Sequence, residues 1–227
     1  IIVSLQSESA LSQVSYATSA VLGAAHPLVL KKGNDLYLYY NRFLEYAMID
    51  GNPYSYESKS TGGIGRESCS LCIAKAAYSS VVSTNYLNQP NPWYKFYDGS
   101  FSELGSGGLS TPLFDLDDGE PHRGYLVPIS VMDHDGIDEY LYVFMNPVDR
   151  SRTSNRMYLC TSINKDPCDL SDCIEVELPE SKTFCLDMVH EDGYDTEGDG
   201  ECMMMYAQKP LSSGGFEMIK YQFYFSY

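Results

Sequence analysis

The sequence has 227 residues, with 15 Lys and Arg against 31 Asp and Glu and a formal net charge of −16. Apolar residues make up 44%, enough for a packed core and too many for a disordered acidic tail, and no apolar run approaches the roughly 20 residues of a membrane-spanning helix. The acidic balance excludes nucleic acid and anionic membrane as partners, because both need a basic face; neutral ligands, cations and basic partners stay open.

The 20 Tyr against 1 Trp, with 18 Gly and 11 Pro, point to an all-β chain, since Tyr favours strands while Gly and Pro keep every element short. In chain order, residues 1–22 are strand-like, with 8–16 able to form a helical turn or two. Residues 26–40 then read as two strands around the turn at Gly33–Asp35, followed by a third strand at 70–75 and a fourth at 93–97. Residues 74–82 fit a short helix or a strand running into a loop. Beyond strand-like material at 102–118, the same order recurs: a strand at 124–132, an acidic turn at 133–138, an aromatic strand at 139–145, then strands at 156–162 and 173–178. A third copy has strands at 184–189 and 201–206 around the turn 191–200, and a strand at 216–225.

Four antiparallel strands, each feeding the next, are the unit of a propeller blade, and an irregular repeat of several tens of residues suits blades with variable loops. The expected fold is therefore a β-propeller of four-stranded antiparallel blades, one domain over 1–227, with blades at about 26–101, 121–178 and 183–227. A β-sandwich of several hairpins is the alternative. Either the strand-like leftovers complete a further blade or the chain is part of a longer propeller. The start at Ile1-Ile2-Val3, with no Met and no basic leader, is that of a processed or truncated product.

The segment HPLVLKKGNDLYLYY (26–40) resembles the opening blade of five-bladed glycoside-hydrolase propellers, the family-43 arabinanases and xylosidases and their family-32 relatives. SLCIAKA and RMYLCTS are similar to that clan's Ala-x-Ser strand. NPWYKFYDGSF (91–101) resembles its Trp-containing outer strand, and PLFDLDDGEPHRGYLV (112–127) its Asp-Asp-Gly strand turns. The resemblance implies a secreted protein that binds or hydrolyses glycans in a central pocket. It also implies a general-base Asp before a Pro on the first inner strand, where this chain has His26, and a Glu general acid whose motif no segment carries. Inverting hydrolysis needs two carboxylates about 6.5–9.5 Å apart, so the catalytic residues stay unassigned.

His26, His122, His134 and His190 lie at or near ends of proposed inner strands or their turns. The candidate ligand-binding residues are His26, Asp187, His190 and Arg123, although an exposed or hydrogen-bonded rim position is the commoner reading for any single one of them. Arg66 and Arg123 are isolated cations, which serves an anionic substrate poorly. The turn Asp133-His-Asp135-Gly-Ile-Asp138 alternates oxygen ligands around a Gly, the chemistry a Ca²⁺ site needs, and resembles the calcium hairpins of integrin-type propellers. Asp133, Asp135 and Asp138 are the candidate metal ligands; ordinary β-turn preference for Asp and Gly is the other reading. The acidic turns at 115–119 and 195–201 are comparable. The Gly62–Gly65 and Gly105–Gly108 runs lack the Lys and following helix of a phosphate loop and read as connections. Tyr37, Tyr39, Tyr140 and Tyr142 alternate along strands and are expected to pack between blades.

The seven cysteines lack the paired spacing of a zinc site. Cys69 and Cys72, three apart on a strand, point to opposite faces and do not pair. Cys168 with Cys173, and Cys185 with Cys202, are the expected disulfides, in an extracellular setting; buried apolar thiols are the alternative. An odd count leaves one cysteine for a thiol or for a bond to another chain. The second function in view is therefore a non-catalytic extracellular structural or interaction module, calcium-stabilised and joined to a protein partner or to its own copies.

Overall fold

In the computed structural model the residues described are 23–43, 46–49, 52–55, 69–82, 91–105, 110–114, 126–134, 137–146, 156–171, 173–176, 184–190, 197–198 and 202–224. The chain divides into two compact units, residues 1–125 and 126–227. Among the described residues, apart from one five-residue helix, both are built of strands. The expected helical turn at 8–16 lies outside the described residues.

The first unit contains β1 (Gly23–Lys32), β2 (Asp35–Phe43), a small hairpin of β3 (Tyr46–Ile49) and β4 (Asn52–Ser55), β5 (Cys69–Ala77), α1 (Tyr78–Val82), β6 (Tyr94–Tyr97) and β7 (Ser100–Leu104). Its main sheet runs β1-β2-β5-β6-β7, antiparallel throughout. With the local β3–β4 hairpin set aside, each strand lies beside its predecessor. Residues 74–82 do both things foreseen for them, a strand to Ala77 and then one helical turn.

The middle of this sheet is covered on both faces. Leu36, Leu38, Tyr40, Cys72, Ala74, Ala76, Val81 and Trp93 form one core, while Tyr39, Asn41, Leu71 and Ile73 are buried on the other side. A strand covered twice cannot alternate apolar with polar, which is why Leu36-Tyr-Leu-Tyr-Tyr40 reads as an unbroken apolar run. Tyr37, towards the sheet's end, instead packs edge-on against Phe101. The β6–β7 hairpin turns on Asp98-Gly99, both at positive φ (47° and 81°), the preference of a tight two-residue turn. Gly105 donates its N–H to the Trp93 carbonyl at 2.8 Å. A Cβ at Gly105 would stand 2.9 Å from that oxygen, so close backbone approach, not flexibility, requires this glycine.

The second unit contains β8 (Val127–His134), β9 (Glu139–Asn146), β10 (Arg156–Ile163), β11 (Asp166–Leu170), β12 (Ile174–Val176), β13 (Phe184–His190), β14 (Glu197–Gly198), β15 (Cys202–Pro210) and β16 (Phe216–Tyr224). One sheet runs β11-β10-β9-β8-β14, with β12 also on β10; the other runs β13-β15-β16. Met132, Leu141, Val143, Met145, Met157 and Leu159 of the first sheet share a core with Met205 and Ala207 of the second, and Tyr221 packs against it. The two sheets thus pack face to face. Tyr142 stacks on Phe144 with centroids 5.9 Å apart, and both rings are fully buried.

The first strand of each meander carries a β-bulge near its start. The register shifts between Ala25 and Leu28 in β1, between Pro128 and Ser130 in β8, and between Cys185 and Asp187 in β13. The same one-residue irregularity thus recurs on the first strand of three meanders, while further register shifts fall in the β6–β7 and β10–β11 pairs.

The cysteine pairing differs from expectation. Leu159 opposes Ile174, which sets Cys160 directly across from Cys173; the two form a disulfide with Cα atoms 4.3 Å apart. Cys168 carries a thiol. It belongs to β11, where Leu170 pairs with Ser162 and Asp166 with Ile163, and this register carries it towards the hairpin turn and away from Cys173. Cys185 opposes Ala207, five residues along the strand from Cys202 and so roughly 17 Å away at the rise of a strand; antiparallel pairing does not bring these two together. Cys72 is a buried thiol.

Candidate functional site

The richest polar constellation among the described residues joins two neighbouring turns of the second unit. β8 and β9 close at the pair His134↔Glu139, and β10 and β11 close at Ile163↔Asp166 around Asn164 and Lys165. The β9–β10 ladder, with Tyr142 opposite Cys160 and Leu141 opposite Thr161, sets these turns side by side.

Glu139 organises the assembly. Its carboxylate accepts the Asn164 N–H at 2.9 Å and the Lys165 N–H at 2.7 Å, and the Ser162 hydroxyl donates to it as well. Ser162 in turn accepts the Tyr140 N–H at 2.9 Å. Asn164 and Lys165 both adopt left-handed backbone, with φ of 56° and 52°, and the two amides they aim at Glu139 hold that turn. Burial pushes the Glu139 carboxyl up, but the Ser162 hydroxyl and the Lys165 and Asn164 amides outweigh it, leaving the group below its ordinary value of 4.5.

Lys165 completes the cluster. Its Nζ lies 2.8 Å from Asp133 Oδ1 and 2.9 Å from Asp138 Oδ1, and 6.0 Å from the Tyr140 ring centroid. These two carboxylates hold the ammonium well above the usual lysine range. Burial and the Asp133 carboxylate push the Tyr140 phenol up.

A folded-state pKa below the unfolded one contributes stability above pH 4.5 that is lost as pH falls through the folded value. Glu139→Gln is therefore expected to cost about 1 kcal/mol at pH 7, the worth of partly solvated charge-assisted bonds. The gap to wild type should close as urea denaturation is repeated from pH 5 down to pH 3. An equal gap at both ends would show that the charge of Glu139 contributes nothing.

Of the candidate metal ligands, Asp133 and Asp138 are brought together, and a lysine stands between them; Asp135 lies outside the described residues. Among the described residues no group of three or more His, Cys, Asp or Glu is placed to hold a metal ion. β14 sets Glu197 beside Asp133 and Gly198 beside His134 in a parallel pair, so two of the three acidic turns meet; the turn at 115–119 lies outside the described residues. His134 is fully buried at the end of β8. His26 lies within the β1 bulge, Asp187 directly after the β13 bulge opposite Tyr206, and His190 at the end of β13 opposite Met203. Arg123 and His122 lie outside the described residues. Ser162 and Lys165 went unremarked in the sequence. The Asn164-Lys165 pair between two strand patterns was the available signal, since Asn favours such turns.

These observations define an all-β protein of sequence-ordered antiparallel meanders, with no helix among the described residues long and apolar enough to cross a membrane. No protein family and no curated protein matches the sequence. Among solved structures, the crystal structure of a thermostable family-43 glycoside hydrolase aligns with 88% of this chain and 68% of its own, at 12% sequence identity and a TM-score of 0.36.

Proposed function

We propose that the chain is a secreted carbohydrate-binding β-propeller of the glycoside-hydrolase type that binds glycan without cleaving it. The observation that carries this reading is the repeated meander with a bulged first strand. Consecutive strands lying side by side support blades over a sandwich, whose Greek-key connections would exchange strands between sheets. Bulges gather next to functional sites, where they re-aim side chains, and the bulges of β1 and β13 involve or adjoin His26 and Asp187. The segments that resemble the glycoside-hydrolase blades fall on matching elements: 26–40 on the β1–β2 hairpin, SLCIAKA on β5, RMYLCTS on β10, and 91–101 on the β6–β7 hairpin with Trp93 buried. His26 in the place of a general-base Asp argues for binding over hydrolysis. The Cys160–Cys173 disulfide fits an oxidising compartment.

Affinity electrophoresis in gels containing arabinan or xylan tests this. The chain should be retarded by at least one polysaccharide and release no reducing sugar from it. His26→Ala and Asp187→Asn should each weaken retention about tenfold, or 1.4 kcal/mol, at unchanged Tm. Migration unaffected by either polysaccharide would remove the carbohydrate reading.

A further inference from the structure

The double turn plays no part in the proposed carbohydrate binding. Asp133 and Asp138 converge on one point, and the Lys165 ammonium occupies it, 2.8 and 2.9 Å from their Oδ1 atoms. An acidic, Gly-bearing turn between strands is the donor chemistry of Ca²⁺, which takes six to eight oxygens at about 2.3–2.6 Å. The residues here do not fit that ion. The point between the carboxylates is filled, and a divalent cation entering it would meet a positive charge at contact distance. The ammonium contacts both Oδ1 atoms and offsets one of the two negative charges, so the point where a metal would sit is already taken by a cation.

The lysine is also held from its other end. It stands at the second position of a two-residue hairpin turn with φ of 52°, a conformation in which glycine is the unstrained choice. Its backbone N–H is fixed by Glu139 at 2.7 Å, and its neighbour Asn164 by the same carboxylate. The side chain leaves this pinned backbone, passes the Tyr140 ring and reaches across to the other turn. A metal-ligating turn recruits its cation from solution; this one is supplied by the adjacent hairpin, brought into reach by the β9–β10 register. We infer that Lys165 is a tethered cation standing in for a divalent metal ion, locking the β8–β9 and β10–β11 turns together without calcium.

Thermal unfolding of the full chain in millimolar CaCl₂ and in EGTA tests this. The wild-type Tm should be the same in both. Lys165→Met should lower the Tm by several degrees in EGTA, and calcium should recover part of the loss, because Asp133 and Asp138 then face a vacant point. Lys165→Arg, which keeps the charge, should stay near wild type and indifferent to calcium, giving a second reading if the methionine variant does not fold. A wild-type Tm that rises with calcium and loses that rise in Asp133→Asn would overturn the inference. So would a Lys165→Met protein as stable as wild type in EGTA, or one destabilised but unresponsive to calcium, or an arginine variant that gains a calcium response.

Discussion

Met157→Ala is expected to destabilise the second unit by about 3 kcal/mol, the middle of the range for truncating a buried Met or Leu. Met157 is fully buried on β10. Its ladder neighbours are Met145 on β9 and Val176 on β12, and its cluster reaches across to Met205 and Ala207 of the facing sheet. The side chain therefore ties two sheets together, and removing it opens a void at their junction. Four of the eight buried residues in that cluster are methionines, whose flexible side chains can partly refill the space; this keeps the loss below the 5 kcal/mol extreme. Met218→Ala on β16, where the side chain is 59% exposed, should change the urea midpoint negligibly. If the two variants shift the midpoint alike, the proposed sheet-to-sheet core does not exist.

Strand position was legible in the sequence wherever an apolar or β-branched run met a Gly, Asn or Asp turn. The segments at 70–75, 156–162 and 216–225 fall on β5, β10 and β16, and the 26–40 hairpin on β1 and β2. Short polar strands were not legible. β11 reads Asp-Pro-Cys-Asp-Leu, which has the composition of a loop and becomes a strand only because β10 offers it a partner. The β3–β4 hairpin likewise lacks a periodic signature, with Pro53 inside it. Partners across the sheet were hidden for a physical reason: they depend on register. The acidic turn was visible from Asp133 to Asp138, but the lysine that fills it comes from another hairpin and meets it only through the β9–β10 ladder. Cys173 stood near Cys168 in sequence, yet the pairing of β10 with β12 gave it to Cys160.

That disulfide carries the other large effect. Replacing Cys160 and Cys173 by Ala, or reducing the bond, should cost about 3 kcal/mol, because the bridge closes a loop across 13 positions of sequence and removes that much chain freedom from the unfolded state. β12 is three residues long and makes three pairs with β10; its Ile174 is 64% exposed. Val176 packs against the methionine-rich core, the Tyr158 hydroxyl donates to Glu175 at 3.4 Å, and just before the strand Ser171 holds Thr161 through its hydroxyl. A drop in Tm of roughly 10 °C follows, with amide exchange in 173–176 accelerating before the rest of the sheet. An unchanged Tm in dithiothreitol would mean that β10 and β12 hold together without the bridge. Stability of this size exists only where the bond persists, so a chain that depends on it is suited to an oxidising compartment and weakened in the cytosol. The same measurement thus weighs on the proposed secretion: a chain that loses nothing on reduction has no stake in where it resides.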